Sequence, residues 1–127
     1  MIPRFLWVML AIPVLISAQT GPGPCHPYPG AVAGDVLELI SKHLNDDTET
    51  PVDKSGRAVL NLRNAVIVTA VTKNATSVVN DLMVRRALTA LGACALSDFG
   101  SVSGYYIGED GGKTCYLYPG SEGNCSL

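Results

Sequence analysis

Three observations predict an α+β fold for this chain: a small two-layer sandwich of two helices on an antiparallel sheet, stapled by two disulfides. Apolar residues recur at helical spacing in two stretches, 36–44 and 78–91. Around them lie runs rich in Val, Ile, Thr and Tyr, bounded by glycine and polar turn formers, which is the composition of strands. Four cysteines, Cys25, Cys94, Cys115 and Cys125, supply an even count in a chain of 127 residues, and in an oxidising compartment that reads as two bridges.

The compartment follows from residues 1–18. Arg4 provides a positive start, Phe5 to Ile16 an apolar run, and Ile16-Ser17-Ala18 the small residue that a signal peptidase requires. The segment therefore reads as a secretory signal peptide, with the mature chain beginning at Gln19. As a helix the run spans about 18 Å, short of the roughly 30 Å hydrocarbon core of a bilayer, so no membrane span is expected after signal removal. The expected localisation is secreted and extracellular. The domain plan is 1–18 signal peptide, 19–34 a Pro/Gly-rich arm, and 35–127 a single disulfide-stabilised α+β domain, expected to be a monomer.

The arm carries four prolines and cannot form a helix, so it is predicted to lie extended along the surface, anchored through Cys25. From Asp35 onward Val36, Leu37, Leu39, Ile40 and Leu44 follow one helical face. Asp35 and Glu38 fall in the first turn, where the helix dipole favours acids, and a helix is predicted over 34–44. Asn45 to Thr50, followed by Pro51, ends it. In 57–72, β-branched residues crowd Val66 to Thr72, and their restricted χ1 favours one buried strand or two short ones. A helix is the competing assignment for Arg57 to Thr72, because Val59, Leu62, Val66 and Ala70 also share a helical face.

Thr76 or Ser77 is placed to N-cap a second helix, whose stripe runs through Val78, Val79, Leu82, Met83, Val84, Ala87, Leu88 and Leu91 to Gly92 as its C′ residue. Cys94, just beyond, is positioned to pin this helix to another layer. Gly104 to Ile107 and Lys113 to Tyr118 flank Gly108-Glu109-Asp110-Gly111-Gly112, the pattern of a hairpin with a glycine-bearing loop. The cysteines lie 69, 21 and 10 positions apart, and this spacing leaves all three pairings open.

Composition narrows the function classes. Without Arg4, eight basic side chains face eleven acidic ones, and Arg85-Arg86 is the densest basic pair; a nucleic-acid partner is not expected, since phosphate affinity rests on an array of cations. The cysteine spacing does not suit zinc, and neither His26 nor His43 has a suitably spaced partner. Asp46, Asp47, Glu49 and Asp53 lack the glycine and distal glutamate of a calcium loop and read as a solvated loop. Gly108 to Gly112 lacks the strand-helix setting and the lysine of a phosphate loop. No metal and no cofactor are therefore expected.

Acid–base chemistry would enlist a histidine. His26 sits in the proline-rich arm and His43 in the last turn of the first helix, where the dipole and the free carbonyls account for it. No spacing joins either one to Glu38 or Glu109, and no catalytic residue is assigned. Asn74-Ala75-Thr76 and Asn124-Cys125-Ser126 are glycosylation acceptors, Asn74 being the better placed because a bridge cysteine occupies the middle of the second.

One pattern occurs twice: Cys25-His26-Pro27-Tyr28-Pro29-Gly30 and Cys115-Tyr116-Leu117-Tyr118-Pro119-Gly120 both spell Cys-x-x-Tyr-Pro-Gly. Two cysteine-anchored turns with a ring able to pack on a bridge account for it. The sharper reading is a tyrosine surface for a partner, with Tyr28, Tyr118 and the hairpin's Tyr105 as contact candidates, because aromatics bury much area with few rotors to freeze.

In residues 58–106 a β-rich run precedes a helix ending in Leu91-Gly92-Ala93-Cys94, followed by Phe99-Gly100-Ser101-Val102 and another strand. This plan resembles the small secreted proteins of fungi, including virally encoded killer toxins and the effectors that share their α/β sandwich. In killer-toxin-like chains the helix often ends in Gly-Cys and a Cys-Gly-Ser turn follows; here Phe99 stands where that second cysteine would be. The resemblance implies a secreted virulence effector or growth-inhibiting toxin that acts by binding a host or competitor protein, without catalysis. The competing expectations are a small extracellular hydrolase with His26 or His43 as base, and a secreted inhibitor or matrix module.

Overall fold

The computed structural model describes residues 20–72, 74–94 and 100–127. The signal-peptide assignment, the start at Gln19 and the Phe99 position of the resemblance lie outside the described residues. The contested stretch 57–72 forms two strands, β4 (Arg57–Leu62) and β5 (Ala65–Ala70), joined by the two-residue turn Arg63-Asn64 with Arg63 at φ 48°. Before them come β1 (Gly21–Pro22), β2 (Ala31–Val32), α1 (Ala33–His43) and β3 (Glu49–Pro51). After them come β6 (Ser77–Val79), α2 (Asn80–Ala93), β7 (Ser101–Val102), β8 (Gly104–Ile107) and β9 (Lys113–Leu117), with a 3-10 turn at Glu122–Asn124.

The main sheet is antiparallel with strand order β1-β8-β9-β5-β4. Two further antiparallel ribbons, β2 with β7 and β3 with β6, stand beside it. The mixed helix and sheet content, the first helix and the glycine-loop hairpin match expectation; the ribbons do not. They correct two assignments. Neither Thr76 nor Ser77 is a helix cap: Ser77, Val78 and Val79 pair with Pro51, Thr50 and Glu49, and α2 starts only at Asn80. Strand pairing uses backbone groups of 77–79 that a helix would leave unpartnered in its first turn. By the same pairing, part of the expected acidic loop is strand β3. Gly92 also lies inside α2, which is closed by the Cys94 N–H donating to the Leu91 carbonyl at 3.1 Å.

Among the described residues both helices begin where a short strand ends, at Val32 and Val79, and neither has a side-chain cap. Docking takes the cap's place. The Val32 N–H donates to the Asn64 carbonyl, the Asn80 N–H to Thr48 and the Asp81 N–H to Asp46. Backbone donors at helix starts are thus satisfied by neighbouring loops, which also sets where each helix enters.

One sheet face packs on the helices. Val36, Leu39 and Ile40 of α1 and Met83, Val84, Ala87, Ala90 and Leu91 of α2 meet Ala58, Leu60, Ala65, Ile67 and Tyr116. The opposite face has its own cluster of Val66, Val68, Ala70, Cys115 and Leu117, joined by Cys125 of the tail, with Tyr28, Val59 and Tyr105 packed against it. Every residue of β5 is therefore buried, Thr69 included, its hydroxyl paired with that of Thr114 at 2.8 Å. A strand covered on both faces reads as a continuous apolar run, which explains why periodicity alone left it ambiguous.

The bridges are Cys25–Cys94 and Cys115–Cys125, with Cα atoms 5.6 and 6.0 Å apart. The first ties the arm to the end of α2; the second folds the tail over the sheet. Arg57 holds the tail as well, its Nε donating to the Cys125 carbonyl at 2.8 Å.

Candidate functional site

The arm runs extended along β8, as its prolines require. Gly21 and Pro22 pair with Ile107 and Tyr106, the Gly23 N–H donates to the Tyr105 carbonyl at 2.8 Å, and the His26 N–H donates to Ser103 at 2.9 Å. This lays Tyr28 over the tail-covered face of the sheet. Ser103, almost fully buried, fixes it there: its hydroxyl accepts from the Tyr28 N–H at 3.1 Å and donates to the Tyr28 carbonyl at 2.8 Å.

Tyr105 projects from β8 onto the same face, opposite Cys115. Its ring centroid lies 6.0 Å from that of Tyr28, the planes tilted by 39°, a separation at which aromatic pairs attract. Lys113 stands 4.2 Å from the Tyr105 centroid and 5.7 Å from that of Tyr28, so one ammonium serves two π faces. Any side chain at position 23 would enter the Tyr105 ring, so the glycine sets the distance between arm and strand.

The two Cys-x-x-Tyr-Pro-Gly segments adjoin. The Tyr118 N–H donates to the Pro29 carbonyl at 3.0 Å, and the Tyr118 side chain is 45% exposed. They are not copies in three dimensions, because Gly120 closes its turn at φ 97° whereas Gly30 does not adopt that region. Of the three tyrosines singled out from sequence, Tyr28 and Tyr105 form one tilted pair, and Tyr118 is joined to the same arm through the backbone. Sequence reasoning missed Lys113 and Ser103. Strand alternation was the available signal for Lys113, since it shares a face with Cys115 and Leu117; nothing local marked Ser103.

His43, Glu38, Asp46 and Asp53 are occupied by structural contacts. His43 Nδ1 lies 2.8 Å from Asp46 Oδ2 at the end of α1, while Glu38 pairs with Arg63. Asp46 also accepts from the Thr48 hydroxyl and from Asn80; the Thr48 bond above all, then His43 and Asn80, hold its carboxyl well below the usual range. Asp53 is lowered likewise, first by the Ser55 hydroxyl and next by the Arg57 N–H. These carboxylates organise turns. Among the described residues no group of three or more His, Cys, Asp or Glu is arranged to hold a metal ion.

Asn74 is exposed at φ 81° in the loop before β6. Asn124 is exposed too, but the next residue, Cys125, is fully buried in its bridge. Among the described residues no helix is long and apolar enough to cross a membrane. No protein-family model matches the chain, and neither a curated protein nor a solved structure matches it.

Proposed function

We propose that this chain is a secreted, extracellular, non-enzymatic protein that works by binding a protein of a host or competitor organism, as an effector or growth inhibitor of the killer-toxin-like kind. In this reading the helices and main sheet are the two-layer α+β sandwich of such proteins, and the arm and tail form its recognition surface. The observation that carries it is the convergence of Tyr28, Tyr105 and Lys113 in one cluster, next to an exposed Tyr118 on an adjoining turn. Tyrosines are among the side chains that dominate interface energies. Two disulfides suit an oxidising compartment, and a glycan on exposed Asn74 belongs to the same reading.

The test is application of the purified, oxidised protein to plant leaves and to competing fungal cultures, with Tyr118→Ala beside it. Because the fold uses only the backbone of Tyr118 among its hydrogen bonds, this variant keeps the parent's thermal midpoint. Its dose for cell death or growth arrest should rise at least tenfold, the range of a binding hot spot. Full potency in both Tyr118→Ala and a folded Tyr28→Ala/Tyr105→Ala variant would overturn the assignment of this surface.

A further inference from the structure

The two adjacent arginines of α2 are partnered in opposite ways. Arg85, 52% exposed, donates through Nε to both oxygens of Asp81 and through Nη2 to Asn45. Arg86 is only 14% exposed, yet the structure gives it one partner among the described residues: Nη2 donates to Asp110 Oδ2 at 3.2 Å. A largely covered guanidinium is costly unless its donors are satisfied, and it has five. Among the described residues no buried side-chain nitrogen or oxygen lacks a partner, so the remaining N–H groups reach open space. That space is two cavities sharing Arg86 and Leu82 as a common wall, of about 290 and 330 Å³.

The hairpin is shaped around this group. A Cβ at Gly108 would run into the guanidinium, and one at Gly112 would stand 3.6 Å from Nη1. The smaller cavity lies between β6, α2 and the hairpin turn, with aliphatic walls from Val71, Ala75, Val78 and Leu82 and with Thr72 in its lining. Each cavity carries one carboxylate, Glu109 in the larger and Asp110 in the smaller, but the smaller has the more extensive aliphatic wall. The smaller therefore combines an under-partnered cation with an apolar wall, the chemistry of a site for an amphiphilic anion. At about 30 Å³ for each water-sized group, it holds roughly ten heavy atoms.

We propose that this cavity binds a small aliphatic carboxylate, the carboxylate on the Arg86 guanidinium and the hydrocarbon chain against Val78 and Leu82. Asp110, 58% exposed at the rim, competes for the same guanidinium and keeps the empty pocket neutral. Its other oxygen accepts from the Gly112 N–H at 2.9 Å, a bond that an asparagine retains.

The test is a titration of the oxidised protein with hexanoate, followed by amide NMR, with hexanol and acetate as probes lacking the charge and the chain. Saturable shifts confined to Thr72, Val78, Leu82, Arg86 and Gly112 are expected, with hexanol and acetate each at least tenfold weaker. Arg86→Gln should weaken hexanoate at least tenfold, and Asp110→Asn should tighten it about threefold. Should Arg86→Gln fail to fold, Asp110→Asn decides alone, because a merely structural pair predicts no tightening. Absence of saturable shifts, equal binding of hexanol, or an Asp110→Asn variant that binds no better would overturn the proposal.

Discussion

Tyr116 is the largest fully buried side chain among the described residues, and its hydroxyl donates to Cys94 Sγ at 3.8 Å, beside the bridge that holds the arm. Burial pushes its pKa up to about 12. In the unfolded chain the group ionises near 10. The stability linked to it is thus complete below pH 10 and is lost as pH rises towards 12, by on the order of 2 kcal/mol. Tyr116→Phe should flatten this alkaline limb while leaving the neutral-pH fold in place, which urea midpoints at pH 8 and pH 11 would measure. Tyr116 could not have been picked out from sequence, because Tyr105, Tyr106, Tyr116 and Tyr118 share one local context of glycine and β-formers. Strand register alone decides which ring faces the helices.

At the scale of elements, the junction of β6 and α2 concentrates polar contacts on Asn80 rather than on the residues that resemble a cap. Asn80 Nδ2 donates to Asp46 and to Thr48 Oγ1, each at 3.1 Å, and its Oδ1 accepts from Thr50. Asn80 is buried, whereas Ser77 makes one exposed bond to Glu49. Asn80→Ala should therefore cost about 1–3 kcal/mol by stranding these partners, and Ser77→Ala less than about 0.5 kcal/mol. Urea unfolding of the two variants checks the ranking; the reverse order would restore Ser77 as a cap. Much of each element was legible, because Val36, Leu39 and Ile40 and the β-branched run of β5 carry their own periodicity or propensity. The start of α2 was not, since Ser77 satisfies the local rule for a cap while its pairing with Pro51 lies 26 positions away. The tyrosine cluster was legible in its residue types alone, and Lys113 joined it only through the register of β9.

For the whole molecule, the two bridges differ in access. Cys25 is exposed, whereas Cys115 and Cys125 are fully buried. Mild reductant should therefore open Cys25–Cys94 first. Alkylation followed by peptide mapping should find label on Cys25 and Cys94 well before Cys115, and hydrogen exchange should then rise over residues 20–28 while the β4–β5 pair stays protected. Equal labelling of all four cysteines would mean that the arm and the core open as one unit. The count of two bridges was readable from an even number of cysteines, but their pairing required the path of the arm, whose contacts with β8 are all long-range.

The same connectivity governs how the molecule meets force. The bonds close two covalent rings that follow one another along the chain without interlocking, spanning 69 and 10 positions. A load applied at the two ends bypasses both rings and falls on the connecting segment from Cys94 to Cys115, 21 positions long and able to lengthen to roughly 70 Å at about 3.4 Å per residue. That segment includes β8, so tension strips the hairpin from the sheet while α1, β4, β5 and α2 remain inside an unloaded loop. The oxidised molecule is a short tether with a shielded core, and the reduced one is a long extensible thread.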